Sequence, residues 1–363
     1  MKRKNAKKRY IVLIVGVSAV MLCGMAAAGK SMADYNAAVT APTPESAPTP
    51  CVTLTPPTPE PSATPEADMP PALLLNGADP LVLPAGPAPY TDPGCVAWDD
   101  RDGSLTDQIE CFSDVFPYRA GEGSVTYTVT DSAGQTSSVT RRVVITAVGQ
   151  PAVVIPEEKT VYLTFDDGPS ANTRRLLDIL DSYGVKATFF VTNAFPEYEP
   201  MLAEIARRGH TIGMHSASHD YYEIYQSEEA YFADLLRMQD IIFAYTGARP
   251  TLLRFPGGAS NTVSHYNPGI MSTLVADLSD MGYQYFDWNV AAADAAPDAN
   301  YSTVLANVKK GIPMFDISVV LMHDTCSFTV DAVGEIIRWG QRNGYTFRAL
   351  DPTSFPAHHP VGN

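Results

Sequence analysis

The chain has 363 residues, with 40 acidic and 25 basic side chains and a formal net charge of −15. Seven basic and no acidic residues lie in residues 1–30, so the remainder has 25 minus 7, or 18, basic residues and a net charge of −22. Such an acidic surface excludes nucleic acid as a favoured partner, because it repels phosphate. An uncharged polymer such as a glycan is compatible with it, and the length allows two or three domains.

The N-terminus combines a basic flank, residues 1–9, with the uncharged apolar run Ile11–Gly29. This pattern is typical of a signal peptide or of an uncleaved membrane anchor over residues 10–30. The run has membrane-spanning length, which favours the anchor. Cleavage near Ala28 or Ala33 is the alternative. A basic flank stays in the cytoplasm, so either interpretation places the rest of the chain outside the membrane.

Residues 31–72 are rich in Pro, Thr and Ser. A segment of this composition cannot bury a core, and we expect a disordered, extended linker. At about 3.1 Å per residue it reaches on the order of 100 Å, a length suited to a stalk through a cell wall.

A small β module is predicted for residues 73–148. Ser124–Thr130 alternates apolar and polar residues, Gln135–Thr146 returns after a turn, and shorter strands occur at Leu81–Leu83 and Cys95–Trp98. The pattern predicts a β-sandwich. The stretch from DDRDG to TRRVVI resembles the immunoglobulin-like modules of bacterial surface proteins, which act as spacers or contact the wall. DDRDG is interpreted as a solvated turn, since it is too short for an EF-hand loop.

Cysteine usage leaves one pairing open. Cys95 and Cys111 share the β module, and an oxidising exterior would allow a disulfide between them, but their spacing does not require one. Cys326 stands alone and is interpreted as a packed thiol.

Residues 149–363 alternate apolar runs with amphipathic segments such as Asn172–Tyr183. Seven such units predict an α/β fold, a distorted (β/α) barrel of about seven strands following the all-β sandwich. In this fold chemistry belongs at the carboxyl ends of the strands. The predicted strands are Val161–Phe165, Ala187–Val191, Thr211–Met214, Leu252–Phe255, Tyr285–Trp288, Val319–Met322 and Thr346–Leu350.

Polar side chains follow five of these strands. Each has an ordinary explanation by itself: Asp-Gly-Pro makes turns, and an isolated His-x-x-x-His is usually a surface pair. Two histidines four residues apart share a face if the chain enters a helix there. Chance placement of the whole set at successive strand ends is improbable. The set comprises Asp166 and Asp167 in LTFDDGPS, His215 and His219 in HSASH, Arg254 in RFPGG, Asp294, and His323 in VVLMHD.

These five motifs, in this order, resemble those of the polysaccharide deacetylases, the NodB-homology enzymes of carbohydrate esterase family four. The resemblance covers about residues 158–355. It implies an open groove for acetylated sugars and a divalent metal, usually zinc. It also implies roles: Asp166 as general base, Asp167, His215 and His219 as metal ligands, Arg254 holding Asp166, His323 as general acid, and Asp294 tuning it.

The residue chemistry supports this division of labour. Neighbouring strand residues point to opposite faces, so two adjacent carboxylates suit two different tasks. A dication beside Asp167 would offset the repulsion between them. Two imidazoles and one carboxylate favour zinc and leave one coordination position open.

The groove residues depart from the family pattern at two positions. Gly257 stands where the family often has a Tyr whose N–H helps to hold the oxyanion, and a Gly N–H can still donate. Ala295 stands where a Trp often follows the motif's Asp. Leu321 is predicted to line the groove.

We therefore expect a metal-dependent hydrolase that removes N-acetyl groups from a cell-surface glycan, with peptidoglycan N-acetylglucosamine favoured by location alone. The predicted contacts are the glycan, the cell wall and, through the apolar segment, the membrane. Chitin oligomers, poly-N-acetylglucosamine and xylan are alternatives within the class. A catalytically impaired glycan-binding wall protein and an adhesin acting through the β module are the rivals outside it. The remaining histidines, His210, His265, His358 and His359, are assigned to surface, packing or tail.

Overall fold

The computed structural model describes residues 67–362. The predicted basic flank, the apolar segment and the linker through residue 66 lie outside this range and stay predictions. Between residues 67 and 362, none of the helices is long and apolar enough to cross a membrane.

The β module consists of two sheets. One is antiparallel in the order β1-β3-β4, and the other has the order β2-β7-β6-β5. Alternate residues of β6, Val125, Tyr127 and Val129, are buried between the sheets, as the alternating pattern predicts. The strands are β1 (Ala72–Leu75), β2 (Leu81–Pro84), β3 (Cys95–Asp99), β4 (Gly103–Ser104), β5 (Glu110–Ser113), β6 (Gly121–Thr130) and β7 (Thr136–Thr146).

Two details of the β module answer open questions from the sequence. Cys95 lies buried in one sheet and Cys111 exposed in the other, and among the described cysteines the two are not joined by a disulfide. The DDRDG segment forms a turn after β3, but the turn is not fully solvated. Asp99 is 2% exposed, and its Oδ1 accepts hydrogen bonds from the N–H groups of Arg101 (2.9 Å) and Asp102 (2.8 Å).

The second region is built on eight parallel strands. Seven form the row β12-β11-β10-β9-β8-β14-β13, and β15 pairs with the first half of β8. β12 and β13 are the two end strands of the row and do not pair with each other among the described strands. The sheet is therefore an open half-barrel. The strands are β8 (Thr160–Asp166), β9 (Thr188–Val191), β10 (Thr211–Met214), β11 (Leu252–Leu253), β12 (Gln284–Tyr285), β13 (Val290–Ala291), β14 (Ile317–His323) and β15 (Thr346–Arg348).

One predicted strand differs from the structure. The apolar run Tyr285–Trp288 is not a single strand, because β12 ends at Tyr285 and β13 begins at Val290 on the opposite edge of the sheet. Residues 286–289 cross the open seam between these edges. A strand of two residues is too short to produce a periodic pattern, which is why β13 escapes sequence analysis.

Helices cover the outer face of the half-barrel. Leu163 and Phe165 of β8 share one apolar cluster with Leu176 and Leu177, whereas Tyr162 belongs to a separate cluster with inward-facing residues of other strands. The half-barrel is therefore packed on both faces, as a parallel sheet requires. The helices are α1 (Thr173–Ser182), α2 (Met201–Arg207), α3 (Tyr221–Ile224), α4 (Glu228–Thr246), α5 (Ile270–Asp280), α6 (Tyr301–Gly311) and α7 (Ser327–Arg342).

The β module lies against α4 and α5. Tyr118, 5% exposed, stacks on Phe232 with ring centroids 4.4 Å apart. Arg119 forms ion pairs with Glu228 and with the buried carboxylate of Asp277. The two regions therefore share an interface with an apolar centre and charged pairs beside it.

Candidate active site

A buried ion pair lies at the carboxyl end of β8. Arg254, fully buried, donates from Nη1 to Oδ1 of Asp166 at 2.8 Å and to Oγ1 of Thr164 at 2.7 Å. Its Nε and Nη2 donate to the carbonyl oxygens of Phe286 and Asp287, both at 2.9 Å. The guanidinium group therefore has a partner on each nitrogen, and it holds Asp166 in one orientation.

Asp167 turns away from this ion pair. Its φ of 69° ends the strand and places its carboxylate beside two imidazoles. Oδ1 of Asp167 lies 3.6 Å from Nε2 of His215 and 3.4 Å from Nε2 of His219. The ligand atoms of these three residues all lie within 4.8 Å of one another. The three predicted metal ligands are thus brought together.

The donor set fits a divalent metal ion. Oδ1 of Asp167 is buried without a hydrogen-bond partner among the described residues, an arrangement that costs free energy unless something binds there. Nδ1 of His215 donates to the carbonyl oxygen of Arg254 at 2.8 Å, which leaves Nε2 unprotonated and free to bind a metal. Burial lowers the pKa of His215, so the neutral, ligating form is favoured.

The spacing in HSASH predicts that His215 and His219 share one face if the chain enters a helix there. In the structure these two residues precede the helix. His219 has a φ of 54°, and α3 begins only at Tyr221. The loop is instead held by Asp234 of α4, whose carboxylate accepts hydrogen bonds from Ser216 Oγ and from the N–H groups of Ala217 and Ser218. Sequence analysis missed Asp234, because nothing in an amphipathic helix marks one acidic residue as a loop anchor.

His323 and Asp294 form the second predicted pair. Nδ1 of His323 donates to Oδ1 of Asp294 at 2.8 Å, and Asp294 Oδ2 accepts from the His323 N–H and from Thr329 Oγ1. Burial would lower the pKa of His323. The hydrogen bond to Asp294 and the charges of Asp166, Asp294 and Asp167 instead raise its pKa to about 9. Its Nε2 lies 3.8 Å from Oδ2 of Asp167, so a protonated imidazole faces the carboxylate cluster.

Asp324, the residue after His323, explains the glycine of LTFDDGPS. A Cβ at Gly168 would lie 2.6 Å from Oδ2 and 2.7 Å from Cγ of Asp324, so only glycine fits there. Thr173 Oγ1 donates to the same carboxyl group, and burial raises the pKa of Asp324 to about 7. Asp324 is the last residue of the VVLMHD motif, but nothing in the sequence indicates that its side chain contacts Gly168.

The predicted groove residues Gly257 and Leu321 lie on segments that also carry site residues. Gly257 is exposed in the loop after β11, and Tyr225 Oη donates to the neighbouring Pro256 carbonyl oxygen at 2.8 Å. Leu321 is half-buried, two residues before His323 on β14. Ala295 is exposed beside Asp294. The groove roles of Gly257 and Leu321 stay predictions.

The other histidines lie apart from the cluster in varied surroundings. His210 is 6% exposed and accepts a hydrogen bond from the Ala187 N–H at Nδ1. His358 stacks on Tyr285 with centroids 3.8 Å apart, and the His359 N–H donates to Asp287 Oδ2. His265 lies in a short 3-10 turn. The first three have packing roles, in line with their assignment.

Comparison with known proteins places this arrangement in a family. The model described as polysaccharide deacetylase matches residues 154–286, and that of the bacterial surface protein Ig-like domain matches residues 73–145. The chain is 32% identical over 206 residues to a putative polysaccharide deacetylase, YheN, of Bacillus subtilis, covering 55% of this chain and 70% of that protein. It is 33% identical over 215 residues to a peptidoglycan-N-acetylglucosamine deacetylase of Bacillus cereus, covering 56% and 73% respectively.

A solved structure agrees. The catalytic domain of a peptidoglycan N-acetylglucosamine deacetylase from Eubacterium rectale is 53% identical, with a TM-score of 0.58, and the match covers 59% of this chain and 98% of that one. The predicted fold class, a distorted barrel after an immunoglobulin-like module, is confirmed. The chain belongs to the polysaccharide deacetylase family and is an enzyme of that class.

Proposed function

We propose that this protein removes N-acetyl groups from the N-acetylglucosamine residues of peptidoglycan, outside the cytoplasmic membrane. The observation that carries the proposal is the proximity of three groups: the Asp167, His215 and His219 cluster, the Arg254-bound Asp166, whose Oδ2 lies 3.8 Å from His215 Nε2, and the Asp294-bound His323, whose Nε2 lies 3.8 Å from Asp167 Oδ2. The named activities of the relatives support the polymer, and the immunoglobulin-like module supports an extracytoplasmic location.

The proposed chemistry assigns a separate task to each side chain. A zinc ion held by Asp167, His215 and His219 would polarise the acetyl carbonyl group and activate a water molecule for attack. Asp166, oriented by Arg254, accepts a proton as the water attacks. His323, kept protonated by Asp294, then donates a proton to the leaving amine, which is otherwise a poor leaving group. The products are acetate and a glucosamine residue.

Acetate release by the purified full chain tests this proposal. Peptidoglycan and N-acetylglucosamine oligomers would be assayed with zinc, with a chelator, and in Asp166→Asn. Asp240→Asn is the matched control, because Asp240 is an exposed carboxylate paired with Arg249. We expect zinc-dependent release that Asp166→Asn lowers by at least about 100-fold and Asp240→Asn leaves unchanged.

The comparison of substrates decides the finer part of the proposal. Faster release from peptidoglycan than from oligomers supports the wall polymer, and the reverse result points to chitin-type or poly-N-acetylglucosamine substrates. Release from acetylated xylan alone would contradict the N-acetyl assignment. A folded, zinc-loaded chain inert on all three would contradict the enzymatic proposal and favour a glycan-binding wall protein.

A further inference from the structure

The side chain of Tyr221 occupies the space beside Gly257. A Cβ built on Gly257 would lie 3.2 Å from Cε1 and 3.4 Å from Oη of Tyr221, and 3.0 Å from Cβ of Asn261. Gly257 also has a φ of 75°, a conformation that side chains rarely adopt. The glycine therefore leaves room for a tyrosine ring that comes from a different motif.

Two hydrogen-bond donors meet at this place. The Gly257 N–H makes no backbone hydrogen bond, and neither it nor Tyr221 Oη has a side-chain partner among residues 67–362. Gly257 is exposed and Tyr221 is half-buried, so both residues lie at the surface of the half-barrel. The Gly257 backbone and the Tyr221 phenol are neighbours, since Oη lies 3.4 Å from the position of a Cβ on Gly257. A backbone N–H and a phenol O–H are both donors of the kind that stabilises a developing negative charge on oxygen.

Tyr221 also borders the proposed metal ligands. Its ring meets that of His219 edge-on, with centroids 5.3 Å apart, and Nε2 of His219 lies 3.4 Å from Oδ1 of Asp167. The backbone is held in place, since the Tyr221 carbonyl oxygen accepts a hydrogen bond from Tyr266 Oη at 2.9 Å. Asp220 caps α3 at its N-terminus. The ring is thus fixed between the ligand cluster and the Gly257 loop.

From this geometry we infer that Tyr221 is a catalytic residue of the deacetylation, an inference that rests on the proposed function. Its phenol O–H donates a hydrogen bond to the acetyl carbonyl oxygen, together with the Gly257 N–H, and this bond strengthens as the oxygen gains negative charge. No proton is transferred from Tyr221. Gly257 and Tyr221 act as a matched pair, because a Cβ at position 257 would lie 3.2 Å from Cε1 of Tyr221 and would shift the ring by a few tenths of an ångström.

Removing the phenol oxygen alone tests the inference. The full chains of wild type, Tyr221→Phe and the control Tyr222→Phe would be compared on an N-acetylglucosamine pentamer. Tyr222 is the adjacent tyrosine and is 72% exposed. We expect Tyr221→Phe to lower kcat about 10- to 100-fold with KM and zinc affinity changed less than about twofold, since the lost bond forms mainly in the transition state. Tyr222→Phe should match the wild type.

Three other outcomes would each overturn the inference about Tyr221. Unchanged kcat in Tyr221→Phe would overturn the inference and leave the proposed function intact. A loss of zinc affinity that accounts for the loss of rate would show that Tyr221 only supports His219, which also overturns it. A wild-type chain that releases no acetate from any N-acetylated glycan would remove the proposed function and the inference with it.

A second variant tests the pairing of the two residues. Gly257→Ala should lower kcat in the wild type, because its Cβ presses on Cε1 of Tyr221 and moves the phenol oxygen by a few tenths of an ångström from its hydrogen-bonding position. The loss should be at least about threefold smaller in the Tyr221→Phe background, where no phenol oxygen remains to be displaced. Losses that simply multiply in the double variant would contradict the pairing.

Discussion

Asp166 and Asp167 are neighbours in the chain with different surroundings. Asp166 is the last residue of strand β8, and its Oδ1 accepts a hydrogen bond from Arg254 Nη1. Asp167 adopts a positive φ and faces His215 and His219. One peptide unit therefore separates an ion-paired carboxylate from one that is positioned for a metal. The two residues need not compete for the same partner, and this separation underlies their distinct proposed roles.

A first prediction concerns Asp294→Asn. The change removes the charge that, with the hydrogen bond, raises the pKa of His323 to about 9. We expect the pKa of His323 to fall by at least about one unit, as measured by NMR titration of the metal-free chain. A general acid is active while protonated, so activity is lost as the pH rises through its pKa. The alkaline limb of activity should therefore move to lower pH in Asp294→Asn.

Two checks accompany this prediction. Asp240→Asn should leave the titration of His323 unchanged. A bound dication opposes protonation of a nearby imidazole, so zinc should lower the pKa of His323 in the wild type below its metal-free value. A His323 pKa that is the same in wild type and Asp294→Asn would contradict the assigned role of Asp294.

A second prediction concerns the buried ion pair. Arg254→Met leaves the Asp166 carboxylate buried without its cation, and we expect a loss of about 3–5 kcal/mol in the free energy of unfolding. Adding Asp166→Asn removes the unpaired charge, so the double variant should recover at least about 1 kcal/mol. Denaturant unfolding measures both. A double variant less stable than Arg254→Met alone would show that Asp166 does not depend on this cation.

At the scale of elements, the half-barrel relies on contacts where its strands begin. The Ala187 N–H donates to Nδ1 of His210, linking the starts of β9 and β10, and Nε2 of His210 is buried without a hydrogen-bond partner among residues 67–362. Burial, followed by the charge of Lys186, lowers the pKa of His210 to about 4. The neutral imidazole is thus part of the folded structure at this edge of the sheet.

A third prediction follows for acid stability. In the unfolded chain His210 titrates near its ordinary pKa of about 6.5, so between this value and about 4 the unfolded state binds a proton that the folded state excludes. Stability from this group is complete above pH 6.5 and falls as the pH falls. Between pH 7 and pH 4.5 we expect wild type to lose about 2 kcal/mol more than His210→Asn. His265→Asn, a change outside the sheet, should behave as wild type, and equal losses in all three chains would rule out the effect.

At the scale of the whole molecule, the β module is fixed to the enzyme. Tyr118 stacks on Phe232, Arg119 pairs with Asp277, and the Ala120 N–H donates to Asp280 at 2.8 Å. Between β7 and β8, Gln150 Nε2 donates to the Tyr283 carbonyl oxygen. A spacer module would need no such interface. The described residues 67–362 therefore act as one compact unit.

A fourth prediction tests this coupling. Tyr118→Ala removes the aromatic side chain at the centre of the interface, and we expect the single thermal transition of the wild type to divide into two. Calorimetry of the full chain would show it. Phe112→Ala is the matched control, because Phe112 is an aromatic residue of the same module with 68% exposure. A single transition in Tyr118→Ala would mean that the module and the half-barrel unfold together without this contact.

The strand-end residues and their order along the chain follow from the amino-acid sequence alone. Parallel strands have their carboxyl ends at one edge of the sheet. Once the alternation of strands and helices is recognised, that edge is expected to bring together the strand-end residues Asp166, Asp167, His215, Arg254 and His323. The β module followed from period-two burial in β6 and β7, which depends only on local geometry. These inferences need no knowledge of which side chains touch.

The distant residues that support the site are set by packing in the folded chain. Asp234 holds the HSASH loop, Asp324 fits beneath Gly168, and Tyr221 fills the space that Gly257 leaves. Packing between distant segments also produces the stacking of Tyr118 on Phe232 and the two-residue strand β13. Each depends on packing between segments far apart in sequence, and neither periodicity nor spacing records how closely such segments approach.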